Sequence, residues 1–259
     1  MRRYFSSSRQ AAAAWLGLPV RGTPVLYLVD GYDAMPRSGM YRSPEWAVAV
    51  SQSSDRIFFR LDLVDTTPAN KLELVLDHEL IHQLLNHLGG ARLPRWFEEG
   101  LCVAYAGSPY LEMNSTLQHS AAAHRLPTFD ETALLFHGNS TEAAKAYAIG
   151  HEAVRSMIER YGLESVQRIV KGVGRGEEFE AAFQRVTGES LAAFEEGWRE
   201  RVTPWLPFWL YVFVADLGLS LIWIGAVLVF VGWLRRRLRR DRAMRSLEDG
   251  SGYFDDDVG

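Results

Sequence analysis

Two histidines lie four positions apart in the stretch "LVLDHELIHQLLNH", and a glutamate directly follows the first of them. On a helix, residues four apart share one face with their Cβ atoms about 5–6 Å apart, so His78 and His82 can both bind one metal ion. Glu79 projects about 100° further round the helix, close enough to hold a water molecule on that ion. The pattern predicts a zinc site in which Glu79 is the catalytic base. The alternative is a helix whose histidines are only buried and hydrogen-bonded.

A catalytic zinc ion has three protein ligands and keeps a fourth position open, so a third ligand is needed. The chain has a single cysteine, Cys102, which excludes both a thiolate cluster and an intramolecular disulfide. We interpret Cys102 as a small packed residue. Further along, "LPRWFEEGLCVAY" begins a second helix at Pro94 that can return beside the first. Glu98 and Glu99 lie early in it, where acidic residues also suit the helix dipole, and either can reach the histidines.

These two stretches together resemble the peptidase MA-like gluzincins, zinc peptidases with a His-Glu-x-x-His helix and a glutamate ligand downstream. The resemblance is strongest over residues 77–105 and covers most of residues 10–203. It implies that Glu99, directly before the glycine, is the third ligand, that the cofactor is Zn²⁺ and that the substrate is a polypeptide. It also implies that residues 56–64, "RIFFRLDLV", form a strand along the cleft, to whose edge an extended peptide can pair.

In related gluzincins a tyrosine or histidine on a later helix stabilises the oxyanion that develops during hydrolysis. The stretch "AKAYAIGHEAV" offers Tyr147 and His151, and the place of Tyr147 resembles that of the family's tyrosine. In one respect the chain departs from the family. Thermolysin-like relatives carry an acid four residues after the ligand glutamate, where it supports a zinc-bound histidine, and this chain has Val103 there. Another group must therefore orient the imidazoles.

The composition is that of a folded protein, since 47% of the residues are hydrophobic and 23% are charged. A net charge of −4 gives no general attraction to nucleic acid. The predicted fold class is α+β: a gluzincin-like domain over residues 1–203 with a small sheet, an active-site helix pair and a helical C-terminal part, followed by one transmembrane helix.

Local signals predict the elements of this domain. A first helix ends at Gly17, and residues 23–30 form a buried strand. A hairpin turns around "SQSSD", and the metal-binding helix starts with Thr67 as its N-cap and stops at glycines 89 and 90. From Phe129 to Val202 the pattern is helical in four segments, separated by glycines.

Residues 204–234 are predicted to be a transmembrane segment, because residues 207–234 are almost entirely apolar and a bilayer core needs about 20 such residues. Five arginines follow, so the basic and then acidic tail, residues 235–259, is expected to be disordered and cytoplasmic, and the peptidase domain extracytoplasmic. The N-terminus shows no apolar signal core to explain this export. Asp216 lies either at the membrane interface or within the bilayer as a functional residue.

These observations predict a membrane-anchored zinc metallopeptidase that hydrolyses peptide bonds through a zinc-bound water activated by Glu79. The alternative of the same fold is a non-catalytic, peptidase-like binding module anchored to the membrane. A third hypothesis is a structural anchor protein whose histidines are incidental.

Overall fold

The computed structural model describes residues 2–31, 47–52, 55–64, 69–88, 93–107, 117, 120–121, 125–203 and 223–237. The chain divides into two compact units, Met1–Pro204 and Trp205–Gly259. Among the described residues, the first unit contains the helices α1 (Arg2–Leu16), α2 (Leu61–Val64), α3 (Ala69–Asn86), α4 (Arg95–Ala106), α5 (Phe129–Leu135), α6 (Ser140–Tyr161), α7 (Leu163–Gly174), α8 (Phe179–Thr187) and α9 (Leu191–Val202). The described strands are β1 (Val25–Val29), β2 (Ala49–Ser51) and β3 (Arg56–Arg60).

The three described strands form one small sheet in the order β1-β3-β2. Strand β2 pairs antiparallel with β3, which confirms the predicted hairpin, and β1 pairs parallel with β3. Because β3 is central, both of its edges are occupied, and the prediction that a peptide pairs with this strand is wrong. Residues 61–64 form α2 rather than extending the strand. The predicted burial of β1 is also wrong, since Val25 is 52% exposed and Leu28 is 58% exposed.

Helix α3 packs its apolar face between the sheet and the helical part of the unit. Its buried hydrophobic residues are Leu76, Leu80, Ile81, Leu84 and Leu85. Helix α4 begins directly after Pro94, whose carbonyl oxygen accepts hydrogen bonds from the backbone N–H groups of Phe97 and Glu98. The predicted start of α3 at Thr67 and its stop at glycines 89 and 90 lie outside the described residues.

Two glycines allow α4 and α6 to cross at very short range. A Cβ atom on Gly100 would lie 2.3 Å from the carbonyl oxygen of Gly150, and a Cβ atom on Gly150 would lie 2.4 Å from the carbonyl oxygen of Trp96. Any larger residue at either position would meet backbone atoms, which cannot rotate away. The crossing therefore determines how α6, which carries Tyr147, sits against α4.

Five helices rather than the predicted four follow Thr128. The additional break comes between α5 and α6, where Asn139 caps α6 and forms a capping box with Glu142. A second capping box, between Thr128 and Glu131, starts α5. Gly138 and Asn139 lie at this break, and the side chain of Asn139 starts the second of the two helices. The aromatic side chains of these helices pack against Trp96, which stacks on Phe129 with 4.1 Å between ring centroids.

The prediction of a transmembrane helix within residues 204–234 is wrong for the described part of the chain, where no helix is long and apolar enough to cross a membrane. Residues 223–237 are helical. Residues 204–222, including Asp216, and the tail beyond 237 lie outside the described residues.

The described fold is mostly helical with a small three-stranded sheet. The fold class predicted from the sequence is corrected accordingly, because its final membrane helix has no support. The predicted single-pass membrane localisation, with an extracytoplasmic domain and a cytoplasmic tail, fails for the same reason.

Candidate metal centre

The side chains of His78 and His82 on α3 converge on Glu99 of α4. The Nε2 atom of His78 lies 3.2 Å from Oε2 of Glu99, and the Nε2 atom of His82 lies 3.3 Å from the same oxygen. In a tetrahedral zinc site with bonds of 2.0–2.3 Å, neighbouring ligand atoms are about 3.3–3.8 Å apart. Each of the two nitrogens thus lies at almost the distance from the Glu99 oxygen that two ligands of one zinc ion have from each other.

The carboxylate of Glu99 is buried, with 1% of its side chain exposed. Both of its oxygens lie within ion-pair distance of a cation or an imidazole, yet neither has a hydrogen bond of regular geometry. A buried carboxylate with unsatisfied oxygens is costly unless a cation compensates it. Burial by itself raises the pKa of Glu99, but His82, His78 and Arg95 outweigh it and bring the pKa well below its usual range. This donor set fits a divalent cation.

Glu98 orients His82 from the side opposite to Glu99. The Nδ1 atom of His82 lies 2.8 Å from Oε1 of Glu98, so the imidazole donates to this carboxylate and directs Nε2 towards Glu99. Such an outer carboxylate determines which nitrogen of a histidine is free to bind metal. Glu98 is therefore the group that orients this imidazole, a role that Val103, which stands in place of the acid of the thermolysin-like relatives, cannot have. Burial alone lowers the pKa of His82, but Cys102 and the two neighbouring carboxylates together raise it well above its usual value.

Arg95 pairs with the outer oxygen of Glu99. Its Nη2 atom lies 2.6 Å from Oε1 of Glu99, one helical turn further along α4. This contact leaves Oε2 as the oxygen that faces the two histidines. The guanidinium also lies 5.8 Å from the ring centroid of Phe136. Arg95 was not among the predicted site residues, although it lies four residues before Glu99 and residues four apart on a helix are neighbours.

Glu79 lies beside the cluster formed by His78, His82 and Glu99, and its carboxylate faces β2. Its carboxylate is buried, its Oε2 atom has no hydrogen-bond partner, and the backbone N–H of Ser51 donates to the carboxylate. Burial raises the pKa of Glu79, although the nearby histidines 78 and 82 oppose this. A carboxylate with a raised pKa beside a metal site suits a group that accepts a proton and later returns it.

Tyr147 reaches the cluster from α6. Its ring is 6.0 Å from that of His78, centroid to centroid, at an interplanar angle of 66°. Burial raises the pKa of Tyr147 well above its usual value, and the charge of Glu99 adds to the rise, so the phenol keeps its proton as a hydrogen-bond donor. His151, the other candidate of this helix, interacts instead with Glu152 and Arg155.

The remaining histidines lie away from the cluster or outside the described residues. His87 lies beside Gly22, and His137 is exposed. His119 and His124 lie outside the described residues.

Cys102 is packed in the hydrophobic core, as interpreted from the sequence, and its sulfur also lies near the side chains of His78, His82 and Glu99. One ligand atom from each of His78, His82, Glu99 and Cys102 lies within 4.8 Å of the others. The thiol is completely buried, and burial raises its pKa to about 12. Its position three residues after Glu99 places it on the same side of α4, a signal present in the sequence.

Comparison of the chain with protein-family models, with curated proteins and with solved structures gave no match.

Proposed function

We propose that this protein is a zinc-dependent metallopeptidase that hydrolyses peptide bonds, with His78, His82 and Glu99 as the metal ligands. The observation that carries the proposal is the convergence of the two Nε2 atoms on one oxygen of Glu99, at 3.2 and 3.3 Å. These groups come from two helices and form the His₂Glu donor set of catalytic zinc sites. The resemblance to gluzincins over residues 77–105 supports the same assignment.

A zinc ion at this position would polarise the substrate carbonyl and lower the pKa of a water molecule from 15.7 to about 7. The residues of the chain perform the proton transfers. Glu79 accepts the proton of the attacking water and returns it to the leaving amine. The phenol of Tyr147 donates a hydrogen bond to the oxyanion that develops on the carbonyl oxygen. Glu98 holds His82, and Arg95 holds Glu99, so that both ligands keep their orientation during the reaction.

A second candidate function is a non-catalytic module of the same kind that holds zinc only as a structural ion. The position of Cys102 within the cluster favours it, because a fourth protein ligand occupies the place that a catalytic site leaves for water. In the catalytic protein, a water molecule on the metal would lie beside Glu79. In the non-catalytic module, Cys102 would occupy that position and Glu79 would have no proton to accept.

The first experiment measures the zinc content of the purified full-length chain. We expect about one zinc per chain in the wild type, strong depletion in Glu99→Ala, and wild-type content in the control His137→Ala, since His137 is exposed. A folded wild-type protein that stays free of zinc after zinc is supplied would refute the metal site.

The second experiment tests catalysis with a pool of denatured proteins, whose fragments are identified by mass spectrometry. We expect the zinc-loaded wild type to cleave the denatured proteins. We expect Glu79→Gln to bind zinc without cleaving them. Equal cleavage by the wild type and by Glu79→Gln would show that a contaminating peptidase is responsible for the cleavage. If the zinc-bound wild type and zinc-bound Cys102→Ser both leave this pool uncleaved, the non-catalytic module is favoured.

A further inference from the structure

The cluster contains one group more than a His₂Glu site needs. The additional group is the thiol of Cys102, whose sulfur lies within 4.8 Å of one ligand atom of each of His78, His82 and Glu99. Neighbouring ligand atoms around a tetrahedral zinc ion are about 3.3–3.8 Å apart, so a shift of about 1 Å is enough for all four atoms to surround one ion. Rotation of side chains about their torsions can produce such a shift.

The neighbours of Cys102 make the same face of α4 a site for a cation. Both oxygens of Glu99 are buried: Oε1 pairs with Arg95, and Oε2 faces the two histidines, with no hydrogen bond of regular geometry. Glu98 holds the Nδ1 atom of His82 and leaves the other ring nitrogen directed into the cluster. These observations indicate a ligand at this place independently of the cysteine.

We propose that Cys102 is a fourth ligand of the metal ion and closes the coordination sphere in the resting protein. As the sulfur–metal bond forms, the thiol releases its proton to the solvent, and no oxidant or reductant is needed. Thiolate is a preferred ligand of zinc, and a site with four protein ligands has no position for water. Hydrolysis then requires Cys102 to leave the metal first. The inference rests on the proposed function and adds to it a latent state controlled by one thiol.

Cobalt(II) is a suitable probe, because a thiolate ligand gives this ion a charge-transfer absorption in the near ultraviolet that nitrogen and oxygen ligands do not give. The chain has one cysteine, so any such band in the wild type must come from Cys102. The experiment titrates the reduced, metal-free full-length protein with cobalt(II) and records the near-ultraviolet and visible spectra. Equilibrium dialysis gives the amount bound, and circular dichroism checks the fold.

We expect one cobalt per chain with a sulfur band in the wild type, and loss of this band in Cys102→Ser with cobalt still bound. With zinc bound to both proteins, Cys102→Ser should cleave the denatured proteins faster than the wild type, since the fourth coordination position of its zinc ion is open to water.

Cobalt bound through His78, His82 and Glu99 without a sulfur band in the wild type would overturn the inference and leave the proposed function standing. A band that persists in Cys102→Ser would overturn it as well. If the wild type binds neither cobalt nor zinc, both the inference and the proposed function fall. The wild-type spectrum decides the question even if Cys102→Ser does not fold.

Discussion

The Nδ1 atom of His82 lies 2.8 Å from Oε1 of Glu98. The two adjacent glutamates of α4 thus contact opposite nitrogens of one imidazole, Glu98 at Nδ1 and Glu99 at Nε2. Glu98 orients the ring, and Glu99 lies where the proposed metal ion would be bound. This difference between neighbours in the sequence leads to the first prediction.

Replacement of Glu98 by alanine should weaken zinc binding by about 10–100-fold without abolishing it, because it removes the group that orients His82. Glu98→Gln should bind more tightly than Glu98→Ala, since its amide oxygen still accepts from Nδ1. Glu99→Ala should lose the metal. Competition with a chromophoric chelator measures the three affinities. If Glu98→Ala loses zinc and Glu99→Ala retains it, the ligand assignment is wrong by one residue.

Replacement of Arg95 by alanine should increase the rise in Tm that zinc produces. Without the guanidinium, the buried carboxylate of Glu99 loses a neutralising partner in the metal-free protein, and the zinc ion then supplies that charge. Thermal unfolding with and without zinc measures the effect, and Arg95→Lys, which keeps the charge, serves as the control. A smaller rise in Arg95→Ala than in the wild type would mean that the arginine is needed to present Glu99 to the metal.

Gly150→Ala should destabilise the protein by about 1–3 kcal/mol, the usual cost of overpacking, and weaken zinc binding although residue 150 touches no ligand. The added Cβ atom would lie 2.4 Å from the carbonyl oxygen of Trp96, so α6 must move away from α4. The matched control is Gly197→Ala in α9, where the new atom meets only the end of Arg201 at 3.4 Å. Urea unfolding of both variants checks this, and equal stabilities would contradict the tight crossing.

Tyr147→Phe should lower kcat by about 10²–10³-fold, the usual effect of removing one oxyanion donor, with little change in zinc content. The ring stays in place beside His78, and only the hydroxyl is lost. His151→Gln, one turn along the same helix, should keep wild-type activity, because His151 interacts with Glu152 and Arg155. Steady-state cleavage of one identified peptide gives the comparison. An unchanged kcat in Tyr147→Phe would remove this residue from the mechanism.

His151 gives an expected pH dependence of stability. Burial lowers its pKa, so the unfolded chain, in which a histidine has a pKa of about 6.5, binds a proton more readily than the folded protein. The contribution of His151 to stability is therefore complete above about pH 6.5 and is lost as the pH falls through the lowered pKa. The free energy of unfolding of His151→Gln, measured in urea from pH 7.5 to 5, should fall less than that of the wild type. Parallel curves would contradict the shift.

The part of the site that lies within one helix was predictable from the sequence. Helical periodicity alone places His78 and His82 on one face and Glu79 beside them, because these positions depend only on the geometry of the helix. The hairpin of β2 and β3 was also predicted, since its turn residues and alternating side chains are neighbours in the chain. Composition was a poorer guide. The apolar run near the C-terminus predicted a membrane helix, and no helix among the described residues is long and apolar enough to cross a membrane.

The tertiary structure decided what depends on the placement of one helix against another. Glu98 and Glu99 lie about 100° apart around α4, so the rotation of α4 against α3 determines which of them meets the free nitrogens of the histidines. The close crossing at Gly100 and Gly150 restricts how α4 can pack. The same packing brings Cys102 to the cluster. These contacts join residues that are distant in the chain, and no local pattern of residue types records them. The sequence by itself determined a pair of histidines and a glutamate on one helix, and only the packing of three helices decided which groups surround them.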